Sequence, residues 1–295
     1  MMQSDNSGFL PLVSVIMPVY NGEKTIQLAI NSLFAQTYKN WICIIVDDAS
    51  NDKTSEVLAG FKNNRKFRII TLRHNMGRGY ARQMALDNAE GDLVAFLDAD
   101  DFYHPAKLSR QVEFLKENPD VSLVSCGQGS VDLQYKLRSV RGKGNGSVTE
   151  FNPFKGLNGS FAGSMIRLSE ARDFSYNYKL KAAEDKDFFW RLLPGKIISV
   201  EDAVLYYYYE IGQITSEKIR RYLLATLKFE FYYFNVNPLY SIRSQFLTLA
   251  KLIIYPVLIC LYNVDYVVKR RGNDPSIEEI ADYEKALKQI GNDGQ

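Results

Sequence analysis

With 295 residues, the chain is long enough to bury a large core, either as one big domain or as one domain with an appendage. Its hydrophobic content of 46% and its charged content of 24% are ordinary for a globular protein. The formal net charge of +2 is too small to indicate a nucleic-acid-binding protein, so no nucleic-acid partner is expected.

Three cysteines, Cys43, Cys126 and Cys260, lie far apart, each within an apolar run. This placement predicts buried free thiols and a reducing compartment. Residues 1–8 are polar, so no signal peptide is expected. No run of eighteen uninterrupted apolar residues occurs, so no membrane-spanning segment is expected either.

Strands and helices alternate through the first half of the chain. This alternation predicts an α/β fold with a parallel sheet, right-handed crossovers and helices on both faces. The predicted order is strand 12–17, helix 26–34, strand 41–46, helix 57–61, strand 67–72, helix 80–89, strand 93–97, helix 105–117 and strand 121–126.

Three polar loops, at 18–22, 47–52 and 98–101, each follow a predicted strand. In parallel sheets, ligands bind beyond the carboxyl ends of the strands, so these loops should share one edge. Their convergence predicts a nucleotide and metal pocket at that edge. The alternative is that they are ordinary strand-to-helix turns.

The third loop contains the acidic cluster, which we define as Asp98, Asp100 and Asp101. It follows an apolar run that is typical of a buried strand. Carboxylates this close repel one another, and a divalent cation relieves that repulsion. Taken alone, the stretch is equally consistent with a solvated acidic turn.

Four motifs together span about two-thirds of the chain. They are VIMPVYN (15–21), VDDASND (46–52), AEGD with LDADD (89–101) and AED (183–185). In this order and spacing, at strand ends, they resemble the motifs of family 2 glycosyltransferases with the GT-A fold, which has a Rossmann-like, mostly parallel sheet. Within that family, the chain most resembles bacterial enzymes that build O-antigen, capsule or exopolysaccharide.

The resemblance implies a site for a UDP-sugar. By the matching positions, Pro18, Tyr20 and Asn21 would line the pocket for the base and ribose. Asp48 would accept a hydrogen bond from the uracil ring N–H.

Enzymes of the family place cationic side chains near the diphosphate, and Arg78 and Arg82 occupy the matching region of this chain. For Arg82 a second interpretation stands, as a salt-bridged helix residue.

The resemblance further implies that Asp100 ligates Mn²⁺ or Mg²⁺ directly and that Asp98 faces the metal or the ribose. Asp101 could instead cap the following helix. Many relatives carry a histidine as a third ligand, but residues 206–213 contain none. Glu210, Gln213 or water would then complete the coordination shell.

Asp185 matches the general base of the family, at the start of a helix whose positive end favours the ionised carboxylate. The alternative is that the acids there only complement the helix dipole. A single displacement inverts the anomeric centre, so an α-linked donor would give a β-linkage. Processive relatives carry a Gln-X-X-Arg-Trp motif, which is absent here, and this favours transfer of one sugar per event.

We expect residues 1–215 to form the catalytic domain, with a nucleotide-sugar half (12–126) and an acceptor half (127–215). Residues 216–295 should form a helical, aromatic-rich extension. Its cleanest apolar run, 252–264, is too short to span a bilayer, so it should pack on the domain or lie in the membrane interface, the second being favoured. The segment 276–290 predicts a solvated amphipathic helix.

The expected function is transfer of one sugar, glucose first among the candidates, from a UDP-sugar to an undecaprenyl-diphosphate-linked saccharide. The expected location is cytoplasmic, peripheral on the inner membrane surface of a bacterium. Two alternatives are a sugar-1-phosphate nucleotidyltransferase and a non-catalytic membrane scaffold. The first alternative calls for a basic, glycine-rich loop after the first strand, but the loop at 18–22 lacks cations.

Overall fold

The computed structural model describes residues 10–153, 156–180, 182–212, 214–235 and 238–293. The expectation of no signal peptide at residues 1–8 falls outside this described part. Its elements in chain order are β1 (Val13–Val19), α1 (Ile26–Phe34), β2 (Trp41–Asp47), α2 (Thr54–Ala59), β3 (Phe67–Thr71), α3 (Arg78–Asp87), β4 (Leu93–Phe96), β5 (Asp101–Tyr103), α4 (Lys107–Glu117), β6 (Val121–Val131), β7 (Leu137–Arg141), β8 (Val148–Glu150), β9 (Met165–Arg167), α5 (Leu168–Ala171), α6 (Glu184–Leu192), β10 (Ile197–Tyr209), α7 (Ser216–Tyr232), α8 (Pro238–Leu261), α9 (Val264–Lys269) and α10 (Ile277–Asp293).

One sheet joins the ten strands in the order β3-β2-β1-β4-β9-β6-β10-β5, with β7 paired to β6 and β8 to β10. Strand β1 is parallel to β2 and to β4, strand β2 to β3, and strand β6 to β10. The predicted α/β fold with a mostly parallel sheet is therefore confirmed.

The short strand β9 lies antiparallel between β4 and β6. Consecutive strands of a simple alternation would pair directly, so the sequence pattern did not predict this insertion. The side chain of Arg167 holds β9 in place, because its guanidinium donates hydrogen bonds to the carbonyl oxygens of Leu115, Asn118 and Val121.

Helices cover both faces of the sheet, as the alternation predicts. Because strand side chains alternate between faces, Val15 and Met17 of β1 pack with α1, α2 and α4, whereas Ile16 packs with α3, α5 and α6. The two apolar cores hold the strand ends, and therefore the loops that follow them, in fixed relative positions.

The C-terminal helix α10 is not simply solvated, as its charged sequence suggested. Its Tyr283 and Ile290 are buried in a third core with Phe102 of β5 and Tyr207 of β10. The ring of Tyr207 lies 4.9 Å from that of Tyr283, centroid to centroid. Helix α10 therefore supports the strand in which Asp101 lies.

The extension contains a longer apolar helix than the sequence indicated. Helix α8 has 24 residues and is the one described helix that is long and apolar enough to cross a membrane by length and composition alone. The sequence of α8 contains no long uninterrupted apolar run, because Arg243 and Lys251 interrupt the run without ending the helix. The prediction that Cys260 is buried was also wrong, since this thiol is exposed on α8, while Cys43 and Cys126 are buried.

Candidate active site

The loops that follow β1 and β2 brace each other at the carboxyl edge of the sheet. The backbone N–H of Asn21 donates to the Ser50 hydroxyl, and the Asn21 side-chain oxygen accepts from the N–H of Asn51, both at 2.9 Å. Asn21 adopts a left-handed backbone (φ 55°), which asparagine tolerates better than most residues. Pro18 is buried in β1, whereas half of Tyr20 is exposed and free to meet a ligand.

Asp48 is buried and ties the loop after β2 to the loop that precedes α3. Its Oδ1 accepts from the N–H of Met76 at 2.7 Å, and its Oδ2 accepts from the N–H of Gly77 at 2.8 Å. Each carboxylate oxygen can accept a second hydrogen bond, so the arrangement is compatible with a ligand N–H as a further donor.

The acidic cluster lies at this same edge. One carboxylate oxygen from each of Asp98, Asp100 and Asp101 lies within 4.8 Å of the other two. Asp100 is exposed, whereas Asp101 is buried in β5. Asp101 therefore does not cap the following helix, because α4 begins only at Lys107. Its Oδ2 accepts from the Tyr206 hydroxyl at 2.7 Å, and its Oδ1 from the N–H of Tyr209 at 3.3 Å.

The electrostatics of the cluster fit a divalent cation. Burial and the negative charge of the neighbouring aspartates raise the pKa of Asp101 well above its ordinary value. Partial desolvation by the surrounding protein and the charge of Asp98 also raise the pKa of Asp100, although its side chain reaches the solvent. Burial also opposes ionisation of Asp98, but the charges of Arg82 and Arg78 outweigh it and lower the pKa. Three crowded carboxylates are a donor set that suits Mg²⁺ or Mn²⁺.

Of the side chains considered as a third ligand, the structure describes Glu210. Glu210 lies outside the cluster, and its carboxylate accepts two hydrogen bonds from Arg141 at 2.8 and 3.2 Å. Gln213 lies outside the described residues. Among those described, Asp101 is the carboxylate that joins Asp98 and Asp100.

Arg82 connects the acidic cluster to the candidate base. This guanidinium is buried, and its Nη2 lies 2.6 Å from Oδ1 of Asp98. Its Nη1 lies 2.5 Å from Oδ1 of Asp185 and 2.8 Å from Oε1 of Glu184. The structure thus gives Arg82 the salt-bridged role that the sequence left open. Arg78 is the exposed cation here, and its Nε also binds Glu184, at 2.7 Å.

Asp185 is one of three acidic residues in the first turn of α6, at the positive end of the helix dipole. Burial raises its pKa to about 6, with Glu184 and Asp98 adding to the rise and Arg82 opposing it. A carboxylate with this pKa is largely ionised at neutral pH and is basic enough to take a proton from a hydroxyl during attack.

Two residues of the site were not predicted. Glu184 holds both arginines, and the Tyr206 hydroxyl accepts from the N–H of Asp98 at 3.2 Å while it donates to Asp101. The pair Glu184-Asp185 in one motif was a usable signal for the first. Nothing in the run of four tyrosines distinguishes Tyr206 from its neighbours.

The family model for glycosyl transferase family 2 matches residues 14–170, more than half of the chain. The chain belongs to this family. A relative from Methanocaldococcus jannaschii, the uncharacterized glycosyltransferase MJ1057, is 31% identical over 67% of this chain and 70% of its own length.

Another relative is WfgD of Escherichia coli, a UDP-Glc:alpha-D-GlcNAc-diphosphoundecaprenol beta-1,3-glucosyltransferase. It is 40% identical over 36% of this chain and 42% of its own length. The chain spans less than half of the length of several curated relatives that it matches.

The family 2 fold is also found in solved structures. The crystal structure of S. aureus TarS 1–349 in complex with UDP-GlcNAc superposes with a TM-score of 0.62 at 21% identity, covering 96% of this chain and 82% of that chain. This likeness confirms the GT-A fold and the presence of C-terminal helices.

Proposed function

We propose that the protein transfers one sugar from a UDP-sugar to a hydroxyl of an undecaprenyl-diphosphate-linked saccharide, with inversion, in the synthesis of O-antigen or another surface polysaccharide. The observation that carries this proposal is the buried Arg82, which binds Asp98 and Asp185 with the two ends of one guanidinium. Arg82 thereby holds Asp98, a candidate metal ligand, close to Asp185, the candidate base. A displacement at a sugar carbon needs both groups in fixed positions.

The loops at the carboxyl edge would hold the donor. The ring of Tyr20, which is exposed, would stack on the base, Pro18 and Asn21 would shape the pocket, and Asp48 would accept from the uracil N–H. Arg78, whose side chain is half exposed, would reach the diphosphate.

Asp98, Asp100 and Asp101 would hold Mn²⁺ or Mg²⁺. Such an ion supplies positive charge against the diphosphate as it leaves. Because the three carboxylates crowd one another, the cluster should bind an ion more tightly than isolated surface acids do.

Asp185 would act as the general base. As the acceptor oxygen forms a bond to the anomeric carbon, the bond from that carbon to the diphosphate breaks, and its electron pair leaves with UDP. The hydroxyl proton passes to the Asp185 carboxylate, whose pKa of about 6 is near the operating pH. One displacement from an α-linked donor gives a β-linked product.

Glucose is the favoured sugar, because WfgD carries UDP-Glc in its name and is 40% identical over the matched residues. The same name supports the lipid-diphosphate acceptor. Such an acceptor would place the protein on the cytoplasmic face of the inner membrane, with residues 1–215 as the catalytic domain and 216–295 as an extension facing that membrane.

The proposal is tested by incubating the protein with Mn²⁺, a short-chain lipid-diphosphate saccharide and a panel of UDP-sugars. Transfer should fall by about 10²–10⁴-fold in Asp185→Ala, and similarly in Asp100→Ala. Asp120→Ala is the matched control, because this exposed aspartate precedes β6 at the opposite edge of the sheet. If Asp100→Ala and Asp185→Ala both kept full activity, the assigned roles would be wrong.

A further inference from the structure

Helices α7 and α8 pack against each other and form a pair that we call the hairpin, in which α8 has an inverted polarity. The two buried side chains of α8, Ser241 and Thr248, are both polar, whereas α7 buries apolar as well as polar residues. A helix of a water-soluble domain normally buries its apolar face and exposes its polar face. The reversed arrangement is typical of helices whose outer surface meets lipid.

The outward face of α8 carries a continuous apolar stripe. Its members follow one another at intervals of three or four residues, so they lie on one side of the helix. Between its ends the stripe runs for about 33 Å at a rise of about 1.5 Å per residue. The exposed side chains are Leu239, Ile242, Phe246, Leu249, Ile253, Val257 and Leu261. A patch of this extent is unusual on a soluble monomer and marks a binding surface.

The hairpin is fixed to the helix that begins at the candidate base. Glu230 of α7 is fully buried, and its carboxylate lies 3.3 Å from Nζ of Lys186, the residue after Asp185 in α6. The hydroxyl of Ser244 in α8 donates to the same carboxylate. These polar contacts anchor the hairpin to α6, the helix that carries the candidate base.

Helix α9, which follows α8 in the chain, is tied to the loop after β10. The carboxylate of Asp265 in α9 accepts a hydrogen bond from the N–H of Gly212 at 2.8 Å. Gly212 follows β10, in which the N–H of Tyr209 donates to Asp101 of the acidic cluster. The helix that follows the apolar stripe is thus connected, through one loop, to the strand that contacts the acidic cluster.

The charged side chains of α7 and α8 indicate whether the hairpin lies in the membrane surface or spans the bilayer. Arg243 and Lys251 interrupt α8, and α7 carries Arg220, Arg221 and Lys228. These cations would be costly in the hydrocarbon core, whereas at the interface they reach the headgroups. The exposed run Lys269-Arg270-Arg271, just beyond α8, complements anionic lipids.

We propose that the outward face of α8, with the exposed Phe231 of α7, lies in the headgroup–acyl boundary of an anionic phospholipid bilayer and does not cross it. This orientation turns the rim with the acidic cluster toward the membrane plane, where a lipid-linked diphosphate lies. The orientation of the rim toward a lipid-linked diphosphate rests on the proposed function, whereas the membrane contact itself rests on the hairpin alone.

The chain supplies its own probe. Cys260 is exposed on α8, while Cys43 and Cys126 are buried and burial raises the pKa of both thiols, so a maleimide should label Cys260 selectively. With a nitrobenzoxadiazole label there, vesicles of phosphatidylethanolamine and phosphatidylglycerol should shift the emission to the blue. Spin-labelled lipids should quench it.

The variant that tests the surface is Phe246→Glu with Ile253→Glu, two exposed positions on the stripe. Vesicle co-sedimentation should weaken by about tenfold or more, since two apolar side chains no longer insert. The matched control is Ile277→Glu with Ile280→Glu on α10, also exposed. Both variants should keep the wild-type circular dichroism and melting temperature, and both should retain transfer to a short-chain, water-soluble acceptor.

An unchanged emission spectrum, or equal vesicle binding by the stripe variant and wild type, would overturn the proposal. So would a dimer in sedimentation velocity that the stripe variant abolishes without any vesicle binding, because a second copy would then cover the stripe. Resistance to alkaline carbonate extraction would show a spanning helix instead. Vesicle binding without any sugar transfer would support the membrane contact and contradict the proposed function.

Discussion

The hydroxyl of Tyr206 donates a 2.7 Å hydrogen bond to the carboxylate of Asp101. The same oxygen accepts from the backbone N–H of Asp98, so one tyrosine of β10 holds both ends of the acidic turn. Tyr206 is fully buried, and its ring also contacts that of Tyr103. The shape of the acidic cluster therefore depends on a residue that carries no charge.

Tyr206→Phe should loosen the acidic cluster without removing a carboxylate. The N–H of Asp98 and one oxygen of Asp101 lose their partner, which should raise the Mn²⁺ concentration at half-maximal rate by about tenfold and lower stability by about 1–3 kcal/mol. The measurement is the transfer rate against Mn²⁺ concentration. Tyr207→Phe is the control, because that hydroxyl donates to the carbonyl oxygen of Val204 and, among the described residues, makes no hydrogen bond to the acidic cluster. Equal Mn²⁺ dependence of the two variants would contradict this role.

The transfer rate should depend on pH through Asp185. Burial raises its pKa to about 6, so the base is ionised above that pH and protonated below it. At saturating Mn²⁺, the turnover rate should be level above pH 7 and fall about tenfold per unit well below pH 6.

Glu184→Gln sharpens this test, because the charge of Glu184 helps to raise the pKa of Asp185. The midpoint of the pH profile should therefore move to lower pH in this variant. A midpoint that stays in place or moves up would show that another group controls the rate.

Lys107 should make stability depend on pH for a reason unrelated to catalysis. Its ammonium is fully buried, 2.7 Å from Oε1 of Gln111 and 4.2 Å from the ring centre of Tyr103, and burial lowers its pKa from 10.5 to about 8. Between these two pH values the unfolded chain binds a proton that the folded chain has lost, so the contribution of Lys107 to stability rises with pH. Over the whole interval between these two pH values, the contribution of Lys107 to the free energy of unfolding changes by about 3 kcal/mol.

Cys43 and Cys126 oppose this trend, because burial raises the pKa of their thiols and the unfolded chain ionises them first. The clean readout is the difference in unfolding free energy between wild type and Lys107→Met, measured in urea at pH 7.5 and pH 9. The unfolding free energy of wild type should increase relative to that of Lys107→Met as the pH rises. A difference that does not change with pH would rule out the buried ammonium as its source.

The anchor of the hairpin should behave as a buried ion pair. Lys186→Met leaves the Glu230 carboxylate buried with the Ser244 hydroxyl as its one hydrogen-bond donor among the described residues, which should cost about 3–5 kcal/mol. Adding Glu230→Gln removes the stranded charge, so the double variant should be more stable than Lys186→Met. Thermal melts of the two single variants and the double variant measure this, and a strictly additive result would show no coupling.

The sequence predicted the part of the site that local patterns determine. Strands β1, β2 and β4 are parallel, so the polar residues after each strand had to meet at one edge, and Asp48 and the acidic cluster do so. The role of Arg82 could not be predicted in this way, because its partners come from α6 and from the turn after β4.

Burial in the C-terminal third also escaped prediction. Charged residues dominate the sequence of α10, yet Tyr283, Ala286 and Ile290 recur on one face and are buried. In α8 the apolar residues are exposed instead, and composition alone does not distinguish these outcomes. The sequence shows which residues can be buried, and the neighbouring elements decide which of them are.

The stereochemistry of the product tests the central claim most directly. The protein, Mn²⁺, an α-linked UDP-sugar and a short-chain lipid-diphosphate saccharide are incubated together, and the anomeric configuration of the new linkage is read by NMR. The account predicts a β-linked product that wild type forms and Asp185→Asn does not. An α-linked product, or equal product from Asp185→Asn, would contradict a single displacement assisted by Asp185.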